Sequence, residues 1–301
     1  MFFFNFLSKY DRRECVHFCE LDFIIFLGQL KIELWFWRMR MSRVLREQIE
    51  KTEQLAKGIY RMTIKSEYVS ENAKPGQFVN VKCSEGINAL LRRPISICKV
   101  DKDRATFDIV FQIKGIGTEY LSQKNTGSEI DIIAPLGTPF HLDDGYRKIA
   151  VVGGGIGIFP LLYTLREIKG AEKRAYIGFR NKDFAVLVDE FESNCNVLNI
   201  STDDGSMGHK GLVTDILEDD LKSCSFDIIY TCGPTPMLKK VVEIAKKNNI
   251  KCQVSMEQRM GCGIGACLVC ACKTKKEDGW EYRHVCKDGP VFWSDEVIFD
   301  E

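Results

Sequence analysis

What this chain does not contain narrows it first. It has no excess of either charge: 42 lysines and arginines stand against 42 aspartates and glutamates in 301 residues. That balance leaves no electrostatic footprint for nucleic acid or an anionic membrane surface. It has no long hydrophobic run. The longest apolar stretch, Phe23 to Leu30, is bracketed by Asp22 and Lys31, far short of the ~18 to 20 residues that span a bilayer. No basic start followed by an apolar stretch and a small-residue cleavage site marks a secretory signal. Internal repeats and low-complexity linkers are missing too. Nor do the 13 cysteines form a disulfide framework, because the count is odd and five of them crowd between Cys262 and Cys286. That usage fits metal binding in a reducing, cytoplasmic setting.

The length is a prior for two or three domains with ample chain to bury a core. Residues 1–40 stand apart, crowded with aromatics such as Phe2, Phe3, Phe4, Trp35, Phe36 and Trp37. Met39 and Met41 sit just before regular strand patterning begins, so translation is expected to start at one of them. A native peptide from the first thirty-eight residues would refute this; an interfacial anchor is the alternative. Over 41–145 the segments are short and rich in β-formers: Ile59–Lys65, Gln77–Cys83, Thr106–Ile113 and Glu129–Ala134 read as strands of a small antiparallel barrel. Over 146–250, strands at Lys148–Val152, Arg174–Phe179, Val197–Ser201 and Asp227–Thr231 alternate with helical stretches near 159–168, 184–193, 211–221 and 235–248. That alternation implies a parallel sheet with helices on both faces. Residues 251–301 carry the cysteine segment, too short for a core of its own and expected to be organised by what it binds. The fold class is therefore multidomain, β plus α/β.

The strongest motif runs from Met260 to Cys270. Cys262, Cys267 and Cys270 lie in a C-x4-C-x2-C loop, and Cys286 follows. This is the plant-type ligand spacing for a [2Fe-2S] cluster, and Gly261, Gly263 and Gly265 let backbone N–H groups approach the sulfurs. Structural zinc instead favours paired C-x2-4-C knuckles. Cys272 falls outside the pattern and reads as packing.

Weaker signals lie upstream. Arg93 and Ser96, three apart on an extended segment containing Pro94, can clamp a phosphate and bond a flavin ring; a surface arginine pair on an edge strand is the alternative. The turn Gly115-Ile116-Gly117-Thr118 before a helical Glu119–Ser122 presents N–H groups to a phosphate, or is a plain loop-to-helix turn. In Gly153-Gly154-Gly155-Ile156-Gly157, a glycine turn leads from a strand into a helix bearing Pro160. The G-x-G-x-x-G spacing with a ribose-binding acid is missing, so this is a variant dinucleotide turn or merely a glycine turn. Cys232-Gly233 closes a later strand, where ligands bind in open parallel sheets.

Taken together these residues resemble the ferredoxin–NADP reductase superfamily. Arg93-Pro94-Ile95-Ser96, the Gly153–Pro160 turn, the Met260–Cys270 loop and the Cys286–Phe292 tail are similar to the electron-transfer subunits of the NAD-dependent, B-type dihydroorotate dehydrogenases. The likeness runs from about Met41 to the C-terminus. It implies FAD on Arg93, Pro94, Ile95, Ser96, Val110, Phe111 and Gln112, with Gly117 and Thr118 at its pyrophosphate. It also implies NAD at Gly153, Gly154, Gly155, Gly157, Cys232 and Gly233. Ser96 and Cys232 would lie at the hydride-transfer locus; a buried small thiol is the other reading of Cys232. Arg180 and Lys182 leave NADP open. The implied partner is an FMN-containing dihydroorotate dehydrogenase catalytic subunit, two of each chain forming a heterotetramer that serves pyrimidine (UMP) synthesis. The alternative is a related ferredoxin or sulfide NAD(P)H oxidoreductase subunit with a different partner. A (β/α)8 catalytic barrel needs ~250 residues, which this chain does not have to spare.

Overall fold

The computed structural model describes residues 25–27, 30–32, 42–84 and 86–299. Strands β1 (Ile25–Leu27) and β2 (Leu30–Ile32) pair antiparallel. The expected start at Met39 or Met41, and the alternative anchor, otherwise concern residues outside the described ones. No described helix is long and apolar enough to cross a membrane.

The chain from Ser42 onward forms one unit. Its first half is a closed barrel of β3 (Arg43–Ala56), β4 (Ile59–Lys65), β5 (Phe78–Val81), β6 (Arg93–Asp101), β7 (Thr106–Gln112) and β8 (Glu129–Leu136), in the order β3-β4-β7-β6-β5-β8. All its pairings are antiparallel. The period-2 pattern sorts the side chains: on β6, Ile95 and Ile97 enter the barrel core with Val79, Val81, Ile109 and Ile132, while Ser96 faces out. Pro94 is tolerated because β6 pairs only with β5 at that point, its ladder to β7 starting at Ile97. Helices α1 (Glu67–Asn72) and α2 (Ile116–Ser122) fill the connections. The Ser66 hydroxyl caps α1 by accepting the Val69 N–H at 3.2 Å.

The second half is a seven-stranded sheet in the order β12-β11-β10-β9-β13-β14-β17. Its strands are β9 (Lys148–Gly154), β10 (Glu172–Phe179), β11 (Val197–Thr202), β12 (His209–Lys210), β13 (Ile228–Cys232) and β14 (Lys251–Ser255), with β17 (Val291–Trp293) antiparallel at one edge. The central strand β9 is apolar on both faces, as a parallel strand covered by helices must be. The helices are α3 (Ile158–Glu167), α4 (Val188–Glu192), α5 (Val213–Asp220) and α6 (Thr235–Lys247). On α6, Leu238, Val241, Ile244 and Ala245 form the buried stripe, with Pro236 in the first turn and Lys246 and Lys247 in the last.

The halves meet through α3. Phe159, Leu161 and Leu162 share a core with Cys98 and Val110 of the barrel, and the Tyr163 hydroxyl donates to the Ala73 carbonyl at 3.0 Å. The cysteine segment is an excursion from the same sheet, leaving after β14 and returning at β17. Within it, β15 (Ala271–Lys276) and β16 (Gly279–His284) make a hairpin. Cys270, Val285 and Cys286 pack in one core with Val254, Met256 and Phe292.

Candidate functional site

Arg92 and Arg93 are adjacent in sequence and part company in space. The Arg92 guanidinium is pinned inside the barrel wall, to the Asp131 carboxylate at 2.7 Å and the Asp131 carbonyl at 3.1 Å. Arg93 reaches the start of α2 instead, where it lies so close to Gly117 that a Cβ there would stand 2.6 Å from its Nε. Its Nη1 donates to the Leu91 carbonyl at 2.6 Å, which orients the fork. The Thr118 hydroxyl closes the turn beneath, accepting the Lys114 N–H at 2.9 Å and donating to the Gly115 carbonyl at 3.0 Å. A guanidinium over a tight N–H turn is a fitting cradle for a pyrophosphate.

The other flavin candidates divide by exposure. Pro94, Ser96 and Gln112 are half-exposed, whereas Ile95, Val110 and Phe111 are buried. The last three therefore present little side-chain surface to a ligand. Phe111 is stacked on the half-exposed Tyr60 at 6.0 Å between ring centres.

The glycine turn and the Cys232-Gly233 corner, far apart in sequence, come together at the switch point of the sheet. Strands β10 and β11 run to one side of β9, β13 and β14 to the other, and Cys232 is in register with Gly153. Most of the glycines are needed for packing. A Cβ on Gly157 would stand 2.5 Å from the Cys232 carbonyl oxygen, and one on Gly153 would stand 2.8 Å from Leu161. Gly155 alone of the turn has a positive φ, +56°, and open space around it, which makes it the point where a phosphate can approach. Burial, together with the charge of Glu257, pushes the Cys232 thiol well above its usual range, against a hydrogen bond from Ser255. Cys232 is thus a neutral thiol at the crevice.

The four predicted ligand cysteines are brought together. Cys262 and Cys267 form one interacting pair, Cys270 and Cys286 the other. Among the described residues no three His, Cys, Asp or Glu side chains converge on a single ion; two thiol pairs match two irons with two thiolates on each. The Cys262 sulfur accepts N–H groups of Ile264 at 3.4 Å, Ala266 at 3.2 Å and Cys267 at 3.4 Å, and Cys286 accepts that of Gly265 at 3.1 Å. Desolvation works against a Cys262 thiolate, yet these donors, together with a hydrogen bond from the Cys267 thiol, hold its pKa down to about 6. Donors aimed at sulfur are what a cluster of thiolates requires. Cys272 is buried and pushed up to about 11 by desolvation, a packed neutral thiol.

Two features escaped sequence reasoning. Glu257, just past β14, is exposed at the surface, yet partial desolvation of its carboxyl raises its pKa, an effect that the charge of Lys114 of the barrel opposes; its place beyond a strand end was the available signal. Asn80 of β5 donates from Nδ2 to the Cys262 carbonyl at 3.1 Å, and nothing in the sequence marks it. A concavity of about 180 Å³ beside Arg61 and Asp108, and one of about 550 Å³ beside Ile200 and His209, are lined by none of the candidate residues.

Comparison with known proteins agrees with this geometry. Residues 257–298 match the iron-sulfur cluster binding domain of dihydroorotate dehydrogenase B. The dihydroorotate dehydrogenase B (NAD(+)) electron transfer subunit of Caldanaerobacter subterraneus subsp. tengcongensis is 40% identical over 263 residues, 87% of this chain and 99% of that one. Its counterpart in Shouchella clausii is 38% identical over 83% of this chain and 96% of its own. Among solved structures, a chain of the NADH-dependent reduced ferredoxin-NADP oxidoreductase superposes with a TM-score of 0.76 at 32% identity, covering 86% of this chain and 91% of that one. The cytochrome b5 reductase domain of Ulva prolifera nitrate reductase shares the fold, with a TM-score of 0.58 at 16% identity over 69% of this chain and 94% of that one. With a barrel, a switch-point sheet and a four-cysteine loop in one unit, and such identity over nearly the whole of its relatives, this chain belongs to the family of dihydroorotate dehydrogenase B (NAD(+)) electron transfer subunits.

Proposed function

We propose that this chain takes electrons from a dihydroorotate-oxidising catalytic subunit and delivers them to NAD+, as a step of pyrimidine nucleotide synthesis. The observation that carries this reading is the two thiol pairs with N–H donors on their sulfurs, held in the same unit as the Arg93–Gly117 cradle and the Gly153–Cys232 crevice. The bound groups supply the redox chemistry: a [2Fe-2S] cluster carries one electron at a time, and FAD collects two for transfer to NAD as a hydride.

Every other task falls to this chain's residues. Cys262, Cys267, Cys270 and Cys286 hold the cluster, and the N–H groups of the loop compensate sulfur charge and tune its potential. Arg93 and the Gly117–Thr118 turn hold the FAD pyrophosphate, while Pro94, Ser96, Gln112 and the backbone of Ile95, Val110 and Phe111 line the flavin. Gly155 admits the NAD phosphates, with Gly153, Gly154 and Gly157 fitting the turn against its neighbours. Cys232 and Gly233 form the corner on which the nicotinamide rests, and Cys232 meets it as a neutral thiol. In this reading 41–145 is the FAD barrel, 146–250 the NAD domain and 251–301 the cluster segment, whose flanking strands β14 and β17 complete the sheet of the NAD domain.

The partner is an FMN-bearing catalytic chain, assembled two and two with this one. Ile264, Leu268 and Val269, which are 51%, 76% and 58% exposed beside the ligand cysteines, supply an apolar surface for it. A second reading is favoured by the likeness to NADH-dependent reduced ferredoxin-NADP oxidoreductase: the same electron path with a different partner. Anaerobic co-purification with a dihydroorotate dehydrogenase catalytic chain, followed by a dihydroorotate-to-NAD assay, separates the two. Activity that needs both chains, with FMN, FAD and iron present, is the expected result. A flavin- and iron-loaded chain that binds no such partner yet oxidises NADH or NADPH would favour the second reading.

A further inference from the structure

We infer that Asn80 is a positioning residue that ties the cluster loop to the flavin-binding barrel and so fixes the gap across which electrons pass. Asn80 is 1% exposed on β5. It stands in register with Pro94 of β6, within the segment assigned to the flavin. Its Nδ2 reaches away from the barrel and donates to the Cys262 carbonyl at 3.1 Å. One side chain thus joins the strand beside the flavin segment to the first ligand of the cluster.

The direction of this bond is forced. A carbonyl only accepts, so the amide nitrogen must face Cys262, which leaves Asn80 Oδ1 buried without a donor. A buried acceptor with no partner works against folding, and a leucine of similar size would avoid that penalty. Stability alone therefore does not account for an amide here; what its nitrogen holds does. The loop is fitted to it from the other side. Gly263, at φ +72°, packs so closely that a Cβ would overlap the Asn80 amide.

Asn80 takes no part in bond making, and its role rests on the reading of Cys262 as a cluster ligand. The test uses the full chain loaded with FAD and cluster, wild type beside Asn80→Leu. NADH is mixed in anaerobically as the two-electron donor; flavin bleaching and the one-electron reduction of the cluster are followed in the same trace. The reduced cluster is then examined by EPR. Asn80→Leu is expected to keep its FAD, its cluster and its melting temperature, and to bleach with NADH as wild type does. Its cluster reduction should slow by roughly tenfold or more, the scale set by loss of sub-ångström positioning, with a shifted EPR signal.

A cluster rate and spectrum equal to wild type would overturn the inference, as would a lowered melting temperature with the full rate retained, since that is a structural role alone. Should Asn80→Leu not fold, Gly263→Ala strikes the same contact from the loop. Gly263→Ala also carries strain at φ +72° that does not depend on the amide. The double variant Asn80→Ala/Gly263→Ala should therefore lose less than the sum of the two single losses, because removing the amide relieves the overlap with the new Cβ. Additive losses would contradict the shared contact. A wild-type chain that binds no cluster would remove the ligand reading and this inference together, whereas a loaded wild type matched by its variants would remove this inference only.

Discussion

Replacing Gly157 by alanine tests how the nucleotide crevice is built. The backbone there is right-handed, φ −67° and ψ −12°, so alanine meets no dihedral strain and only its Cβ matters. That atom would stand 2.5 Å from the Cys232 carbonyl oxygen, 2.6 Å from the Cys232 carbonyl carbon and 2.6 Å from Gly233 Cα. All three are backbone atoms, so no side chain can swing aside. Reaching an ordinary contact of 3.4 Å requires a shift of 3.4 − 2.5 = 0.9 Å between the glycine turn and the Cys232-Gly233 corner. Overpacking of this kind costs about 1–3 kcal/mol, and the smaller conformational entropy of alanine in the unfolded chain offsets up to ~1 kcal/mol. A net loss of about 1–2 kcal/mol is expected in thermal melts.

The kinetic consequence is larger. A reacting corner displaced by nearly 1 Å costs up to ~10²-fold in rate, read as the limiting rate of flavin reduction by NADH in anaerobic stopped flow. FAD content should not change, because Arg93 and Gly117 belong to the barrel. Gly155→Ala is the control: at φ +56° with nothing within 4 Å it is strained by about 1–2 kcal/mol, and it should weaken NADH binding rather than slow the limiting rate. A wild-type limiting rate in Gly157→Ala would refute the argument that this contact places the corner.

Other perturbations separate the parts of the site. Cys267→Ser should abolish the visible absorbance of the cluster while FAD stays bound and NADH still reduces it; dihydroorotate-dependent NAD reduction by the complex should fail, and wild-type turnover would exclude the relay role. Arg93→Ala should weaken FAD binding by about 2–4 kcal/mol, roughly 30- to 1000-fold, for one to two charge-assisted hydrogen bonds lost. Arg92→Ala breaks its pair with Asp131 and should lower stability with little change in FAD affinity; equal FAD losses in the two variants would sink the assignment. Burial raises the thiol pKa values of Cys98, Cys232 and Cys252, the last to about 12. The folded state therefore holds these protons after the unfolded chain, titrating near ~8.5, has released them. Stability should fall as pH rises above ~8.5, by up to ~1.4 kcal/mol per pH unit per thiol. Urea melts across that range should show a shallower decline in Cys252→Ala, and an unchanged slope would contradict the assignment.

Legibility varied with how local the determining interactions are. The barrel strand Ile59–Lys65 and helix α6 were read nearly to the residue, because alternation and a 3.6-residue stripe are properties of consecutive side chains. Strand β3 went unread, since its charged outward positions mask the pattern. Strands β14 and β17 were hidden for a different reason. They flank the cysteine loop and become strands of the nucleotide sheet only by pairing across a long excursion.

The same division holds for the site. By itself the sequence determined the two-part β and α/β architecture and the four-cysteine loop, because spacing and periodicity are written along the chain and constrain local geometry directly. Only the tertiary structure decided which of two neighbouring arginines turns toward Gly117 and which is spent on Asp131. It also decided that Gly157 serves the Cys232 carbonyl and that Asn80 holds Cys262. Each of these joins groups distant in sequence. Their partners are set by close packing and by the need to pair buried donors with acceptors, and both conditions exist only once the chain has folded.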